Sequence, residues 1–231
     1  RICQRRIDRH VADILKQIIM AIGFKLKKTE RVLFCASKWW GDPDFPEQME
    51  YPTVKVTDED GDTFDYPLTF ICQINCEDIA AFDPENRLPH EGMLYFFGAI
   101  DEYLGYDSPT HNGMGEWPKG EFVVKYAKNI NFETFQTCIL VDDDDQPLTE
   151  PEMEMEFFSC EDASMNSRLL GVPCYEDVRN EYPGLTSLLH LEEDEEIGLR
   201  FYDCGTLDVL IKESDLKFGN WKKIKTYLHS L

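Results

Sequence analysis

PLTFICQIN at residues 67–75, followed after an acidic connector by GMLYFFG at residues 92–98, is the stretch around which the chain is read. Side chains of an extended strand alternate between faces. Leu68, Phe70, Cys72 and Ile74 therefore share one face, and Thr69, Ile71, Gln73 and Asn75 the other. The first face is apolar throughout, whereas the second turns polar at two amides that need hydrogen-bond partners if buried. In the second run Met93, Tyr95 and Phe97 alternate with Leu94 and Phe96, so both faces are apolar and the strand belongs in the middle of a sheet. The connector, Cys76 to Glu91, has room for a short helical turn over Glu77–Phe82, which Asp83-Pro84 ends. It is too short for a crossover helix, so the two strands are expected to pair antiparallel.

Working outward, Ile7, Val11, Ile14, Leu15, Ile18 and Ile22 recur at helical spacing, and Gly23 follows them. This predicts an N-terminal amphipathic helix within residues 1–28, packed on the body. Residues 31–36 read as a strand and 37–52 as a loop stiffened by prolines and aromatic rings. Residues 99–120 are irregular and rich in glycine and proline, and the acidic runs 58–62, 142–145 and 192–196 read as solvated turns. Further strands are expected near residues 121–127, 135–141, 155–159, 185–191, 198–202 and 206–211. Trp221, Ile224, Leu228 and Leu231 lie on one helical face and predict a C-terminal helix. A strand, an acidic connector and a glycine leading into a second strand occur around Phe70–Phe97 and again around Leu188–Ile211. The fold expected is α+β in one domain over residues 1–231: a mostly antiparallel β-sheet, a helix at either end and a degenerate internal duplication.

Composition narrows the function. The 231 residues are 42% hydrophobic and 13% aromatic, enough for a packed core. Forty-five acidic against 23 basic side chains leave a net charge of -22, which argues against nucleic acid or an anionic membrane surface and favours a basic protein partner. Residues 1–28 are the exception at +6, leaving -28 on the rest. The eight cysteines form no C-x-x-C pair and several sit in apolar runs, as expected of reduced thiols in a cytoplasmic protein. Asp13, Lys16 and Gln17 interrupt the N-terminal apolar run, so neither an export signal nor a membrane span is expected. Arg1 in place of an initiator methionine suggests that a natural start precedes it.

PLTFICQIN followed by LPHEGMLYFF resembles the YwqG-like family of bacterial domains of unknown function. ASKWWGDPDFPEQMEYP is similar to that family's upstream pattern, with Ser37, Lys38, Gly41, Pro43, Pro46 and Pro52 in place. SRLLGVPCYEDV and EIGLRFYDCGTLDVLIKESDLKFGNW resemble its later segments, in the correct order. The chain departs from the pattern at Trp40, where a small residue is usual, at Tyr51, where tryptophan is usual, and at Asp208, where an aromatic is usual.

No nucleophile elbow, phosphate-binding loop, dinucleotide fingerprint or paired zinc spacing occurs, and no cofactor or metal is implied. His90 with Cys72 or Cys76 is the nearest thing to a nucleophile and base, and His190, heading an acidic turn, reads as a pH-sensitive surface group. The candidate ligand-binding set is Ser37, Lys38, Trp39, Trp40, Gln73 and Asn75, polar groups in an apolar frame. The same groups are also suited to bracing the proline-rich loop and capping a turn. Two functions follow: a non-enzymatic interaction protein of immunity or sensing type that meets a basic partner, or a small-molecule binder or enzyme using a pocket near Lys38, Gln73 and Asn75.

Overall fold

A computed structural model describes residues 20–57, 60–100, 113–142, 144–202 and 204–230. Its core is an eleven-stranded sheet that curls into a half-barrel. The strands named below are β1 (Met20–Lys28), β2 (Lys38–Trp39), β3 (Asp44–Pro46), β4 (Thr53–Thr57), β5 (Thr63–Pro67), β6 (Thr69–Asn75), β7 (Met93–Gly98) and β8 (Gly115–Glu116). They continue with β9 (Phe122–Ala127), β10 (Phe135–Thr137), β11 (Met153–Glu161), β12 (Arg168–Leu169), β13 (Leu185–Glu192), β14 (Thr206–Lys212) and β15 (Lys225–His229). Across the large sheet the order is β8-β15-β14-β13-β12-β1-β11-β2-β6-β7-β9, and every neighbouring pair is antiparallel. Two small ribbons, β3 with β10 and β4 with β5, lie outside it.

All six residues of β7 are buried. Leu94 and Phe96 face the larger core, while Met93, Tyr95 and Phe97 face a second core with Phe45, Leu68 and Phe70. Its partner β6 does not alternate cleanly: a register shift between Phe70 and Cys72 lets Ile71, Cys72 and Ile74 all join the larger core. A bulge of this kind reassigns side chains to faces, which a strict period of two does not anticipate.

The α+β expectation is corrected to a mostly antiparallel β fold, because the described residues form strands where the C-terminal helix and the end of the N-terminal one were expected. Residues 1–19, which hold most of the N-terminal stripe, lie outside the described residues. Ile22 and Gly23, read as the end of that helix, instead lie in β1, which pairs with β11 along all nine residues. Gly23 makes room rather than ending a helix: a Cβ there would lie 2.5 Å from the Phe158 ring opposite. At the other end Trp221–Lys223 forms one 3-10 turn and Lys225–His229 is β15. Thr226 and Leu228 are buried there while their neighbours are not, and the unpaired edge of β14 gives this strand hydrogen-bond partners that an isolated helix cannot supply. Among the described residues, helices are confined to short pieces such as Cys76–Ile79, Glu176–Glu181 and Glu213–Lys217.

The sheet has a two-fold repeat. From its middle outward, β11-β2-β6-β7-β9 mirrors β1-β12-β13-β14-β15, so each half takes its innermost strand from the other half's end of the chain. Ser37-Lys-Trp-Trp-Gly-Asp-Pro43 in one half matches Ser167-Arg-Leu-Leu-Gly-Val-Pro173 in the other. Both segments pass through two consecutive left-handed residues, Trp40 and Gly41 at φ 55° and 71°, Leu170 and Gly171 at φ 62° and 100°. Glycine in the second place is required twice over, since a Cβ on Gly171 would also sit 2.3 Å from Asp162 O. The hydrogen bonds repeat too: Trp40 N donates to Ile71 O and Leu170 N to Leu188 O. Ser37 Oγ accepts from Asn75 N as Ser167 Oγ accepts from Glu192 N. Even the bulge recurs, between Ser187 and Leu189.

An ion pair fastens the outer edge of the second half. Glu116 on β8 accepts hydrogen bonds from Lys225 Nζ (2.6 Å) and Tyr182 Oη (2.7 Å), and these hold its carboxyl below the usual value of 4.5. A depressed folded-state value stabilises the protein above the unfolded value, and that contribution is lost as pH falls through the folded one. Glu116→Gln should therefore melt about 1–2 °C below wild type at neutral pH, with the gap closing as pH falls below the usual carboxylate range. A gap that persists in acid would show that the pair contributes through packing rather than charge.

Candidate functional site

Superposing the two halves by register brings four positions into correspondence. Gln73 lies between Lys38 on β2 and Tyr95 on β7, and His190 lies between Arg168 on β12 and Asp208 on β14. Asp44 and Cys174 stand at the same distance from the two serines and complete the sets.

In the first half these groups close on one another. The buried Asp44 carboxylate accepts from Cys35 N (2.9 Å), Gln73 Nε2 (2.7 Å) and Thr137 Oγ1 (2.8 Å), and pairs with Lys38 Nζ at 3.0 Å. Gln73 Oε1 accepts from Asp44 N, its Nε2 also donates to Ala36 O, and Tyr95 Oη donates to Asp44 O. Lys38 reaches Glu152 as well, at 3.2 Å, on the wall of an open cleft of about 410 Å³. Ser37 donates to Asp78, and Asn75 caps the turn Cys76–Ile79 through Glu77 N while donating to Cys35 O. Ser37, Lys38, Gln73 and Asn75 thus gather as expected, but Gln73 and Asn75 spend their amides on the loop that contains Asp44 and on the turn after β6.

Trp39 and Trp40 pack beside them with ring centroids 5.1 Å apart and planes tilted by 57°. Trp39 is core. Trp40 forms part of the wall of a cavity of about 400 Å³ with Tyr51, Leu68, Phe70, Leu148 and Leu199, and its indole Nε1 is buried without a hydrogen-bond partner. Glu150 is the charged residue on this wall.

The second half uses different chemistry at the same positions. Arg168, fully buried, turns from the strand pairing to donate to four main-chain carbonyls, Asp162 O, Ser164 O, Asn166 O and Val172 O, at 2.6–3.3 Å. His190 is fully buried rather than a surface group. Its Nδ1 lies 2.9 Å from Asp208 Oδ1, which Ser187 Oγ also contacts. Its Nε2 faces Glu192 Oε1 at 2.7 Å and Cys174 Sγ at 3.4 Å. Burial alone lowers the imidazole pKa, but the charge and hydrogen bonds of Asp208, with those of Cys174 and Glu192, raise it well above its ordinary value.

His90 instead faces Asp83 Oδ2 at 3.2 Å, and burial pushes the thiols of Cys72 and Cys76 up, the latter to about 12, so neither is an activated nucleophile. The Cys174, His190, Glu192 and Asp208 cluster escaped sequence reading. The signal was present in the second S-[KR]-Φ-Φ-G-x-P segment, which sets Cys174 opposite Asp44, and in the His-x-Glu spacing that puts two side chains on one strand face.

The architecture defines a class: a curled antiparallel sheet of two like halves, each wrapping a polar knot beneath a left-handed turn. Residues 37–228 match the family model described as a domain of unknown function (DUF1963), and the chain belongs to that family. No curated protein matches it. No helix among the described residues is long and apolar enough to cross a membrane.

Proposed function

We propose that the chain is a YwqG-like, non-enzymatic protein that binds a small uncharged molecule in the cavity beside Trp40. The observation that carries this reading is a cavity of about 400 Å³ lined in part by Trp40, whose indole Nε1 is buried with no acceptor among the described residues, by apolar side chains and by the polar Thr69, Thr149 and Glu150. An indole N–H in such a place ordinarily has a partner, and an acceptor oxygen on a ligand supplies one. The cavity volume lies in the range of small-molecule sites. Glu150 on its wall disfavours anions, so the ligand class is an apolar molecule carrying a carbonyl or amide oxygen. The family resemblance and the absence of disulfides among the described residues accord with a cytoplasmic setting.

Titration of the tryptophan fluorescence with 2-octanone and with N-hexylacetamide tests the proposal, with hexane-1-sulfonate as the anionic control. The neutral probes should shift the emission and raise the melting temperature, and the sulfonate should not. Trp40→Phe keeps the ring and removes the donor, and should weaken binding about 3- to 10-fold. Equal binding by Trp40→Phe, or no response to either neutral probe, would refute the assignment.

A further inference from the structure

The second polar knot has a capacity that the apolar cavity does not use. Cys174 Sγ, His190 Nε2 and Glu192 Oε1 all lie within 4.8 Å of one another. We infer that these three atoms form a mononuclear site for a divalent transition metal of the zinc class, with Asp208 as the carboxylate that orients the imidazole.

Three features of the geometry support the site. The first is spacing. Zinc at ordinary distances from a thiolate and an imidazole holds sulfur and nitrogen about 3.5 Å apart in a tetrahedron, and Sγ and Nε2 are 3.4 Å apart. Glu192, whose side chain is part-exposed, has to withdraw from its 2.7 Å contact by a fraction of an ångström, and Cys174 Sγ gives up its proton and with it the bond to Ser164 O.

The second is the support behind the ligand. A metal-bound histidine usually donates its other ring nitrogen to a carboxylate, which fixes tautomer and orientation. Asp208 occupies that place at 2.9 Å and is itself held by Ser187. The third is charge. Two carboxylates and a thiol converge on one imidazole in a buried setting, and Asp208 Oδ2 is buried without a hydrogen bond. Binding a divalent cation displaces the thiol proton and the Nε2 proton, so the set takes up the ion with no change in its net charge. One soft thiolate, one imidazole and one carboxylate select zinc, cobalt or copper over magnesium or calcium.

The same atoms read in the order Cys174, His190, Asp208 also have the sequence of a nucleophile, base and orienting carboxylate. Glu192 argues against that role, because its oxygen sits closer to Nε2 than the thiol does and occupies the face a general base needs. Three protein ligands leave a fourth position for water or a small anion, on the side where Cys174 and Glu192 are part-exposed.

The test uses the full chain, reduced and stripped with chelator, and titrated with Co(II) by absorption and with Zn(II) by calorimetry. One equivalent should bind, with a thiolate-to-cobalt charge-transfer band, and Zn(II) should protect Cys174 from alkylation in peptide mapping. Cys174→Ser should lose the band, and His190→Gln should weaken binding at least 10-fold. Glutamine already fills the matching place in the other half as Gln73, so this variant is expected to fold, and circular dichroism checks that it does. Cys204→Ser, the exposed-thiol control, should keep the band. The inference is overturned if no charge-transfer band forms, if Cys174→Ser retains it, or if folded His190→Gln binds as wild type does. Faster alkylation of Cys174 than of Cys204, unaffected by Zn(II), would favour the nucleophile instead. None of these outcomes depends on the Trp40 cavity.

Discussion

Arg168→Ala is expected to destabilise the protein by about 4 kcal/mol, a large part of the 5–15 kcal/mol typical of a domain. The guanidinium is fully buried and its five N–H donors spread over four carbonyls of the segment between β11 and the turn at Gly171. Alanine removes all four bonds; Asp162 O keeps Val172 N and Ser164 O keeps Cys174 Sγ, but the loop loses the fork that ties its carbonyls together. Cys174 lies just past that turn and its Sγ donates to Ser164 O at 3.3 Å, so the variant should lose the thiol-containing cluster along with its stability. Arg168→Lys keeps the charge but cannot present a planar fork to several oxygens, and should recover less than half of the loss. Urea unfolding measures both. A midpoint for Arg168→Ala close to wild type would mean that the carbonyls find other donors and that the loop is not held by this side chain.

Asp44→Ala is expected to cost about 3–4 kcal/mol, because it strands the buried Lys38 ammonium and three further donors together. Cys35, whose N–H is one of those donors, has φ 54°, a conformation a non-glycine residue holds only when its surroundings enforce it. Asp44→Asn keeps one acceptor oxygen but turns an amide toward a lysine or another N–H, and should lose about 2 kcal/mol. In a double-mutant cycle with Lys38→Met the combined loss should fall well short of the sum, since the second change removes the charge the first one strands. Additive losses would show that Lys38 is satisfied by Glu152 alone, its other carboxylate at 3.2 Å.

These two variants probe the polar knots of the two halves, and the contrast between them shows what a repeated backbone leaves free. One half closes its knot with Lys38, Asp44 and Gln73. The other sends its cation, Arg168, to main-chain oxygens, and the place beside the bulge is taken by a histidine with carboxylates on two sides. The backbone pattern fixes where a polar group must stand and what it must satisfy locally. It does not fix which polar group stands there, so the second half is open to metal-ligating side chains.

Reading the residues alone was sound where a local rule had no competitor. The alternation in GMLYFFG specifies a strand buried on both sides, and the structure buries all of it. Gln73 satisfies the backbone of the proline-rich loop at Asp44 N, as expected, whereas the turn cap expected of Ser37 is made by Asn75. The terminal segments went the other way: Trp221, Ile224 and Leu228 fit a helical face on paper, yet KTYLH pairs with β14 because the sheet edge offers a ladder of hydrogen bonds. Periodicity records which residues are apolar, not what stands beside them.

The amino-acid order by itself determined that this protein has an apolar, sheet-forming centre and polar amides at the end of its key strand. Only the tertiary structure decided that β1 and β11 cross between halves, that Gln73 and Asn75 serve the adjoining loop and turn, and that Cys174, His190, Glu192 and Asp208 meet. Those side chains belong to three separate stretches, and register between strands, set by long-range pairing and two bulges, brings them within bonding distance. Such register depends on packing between distant segments, and no local window of sequence contains it.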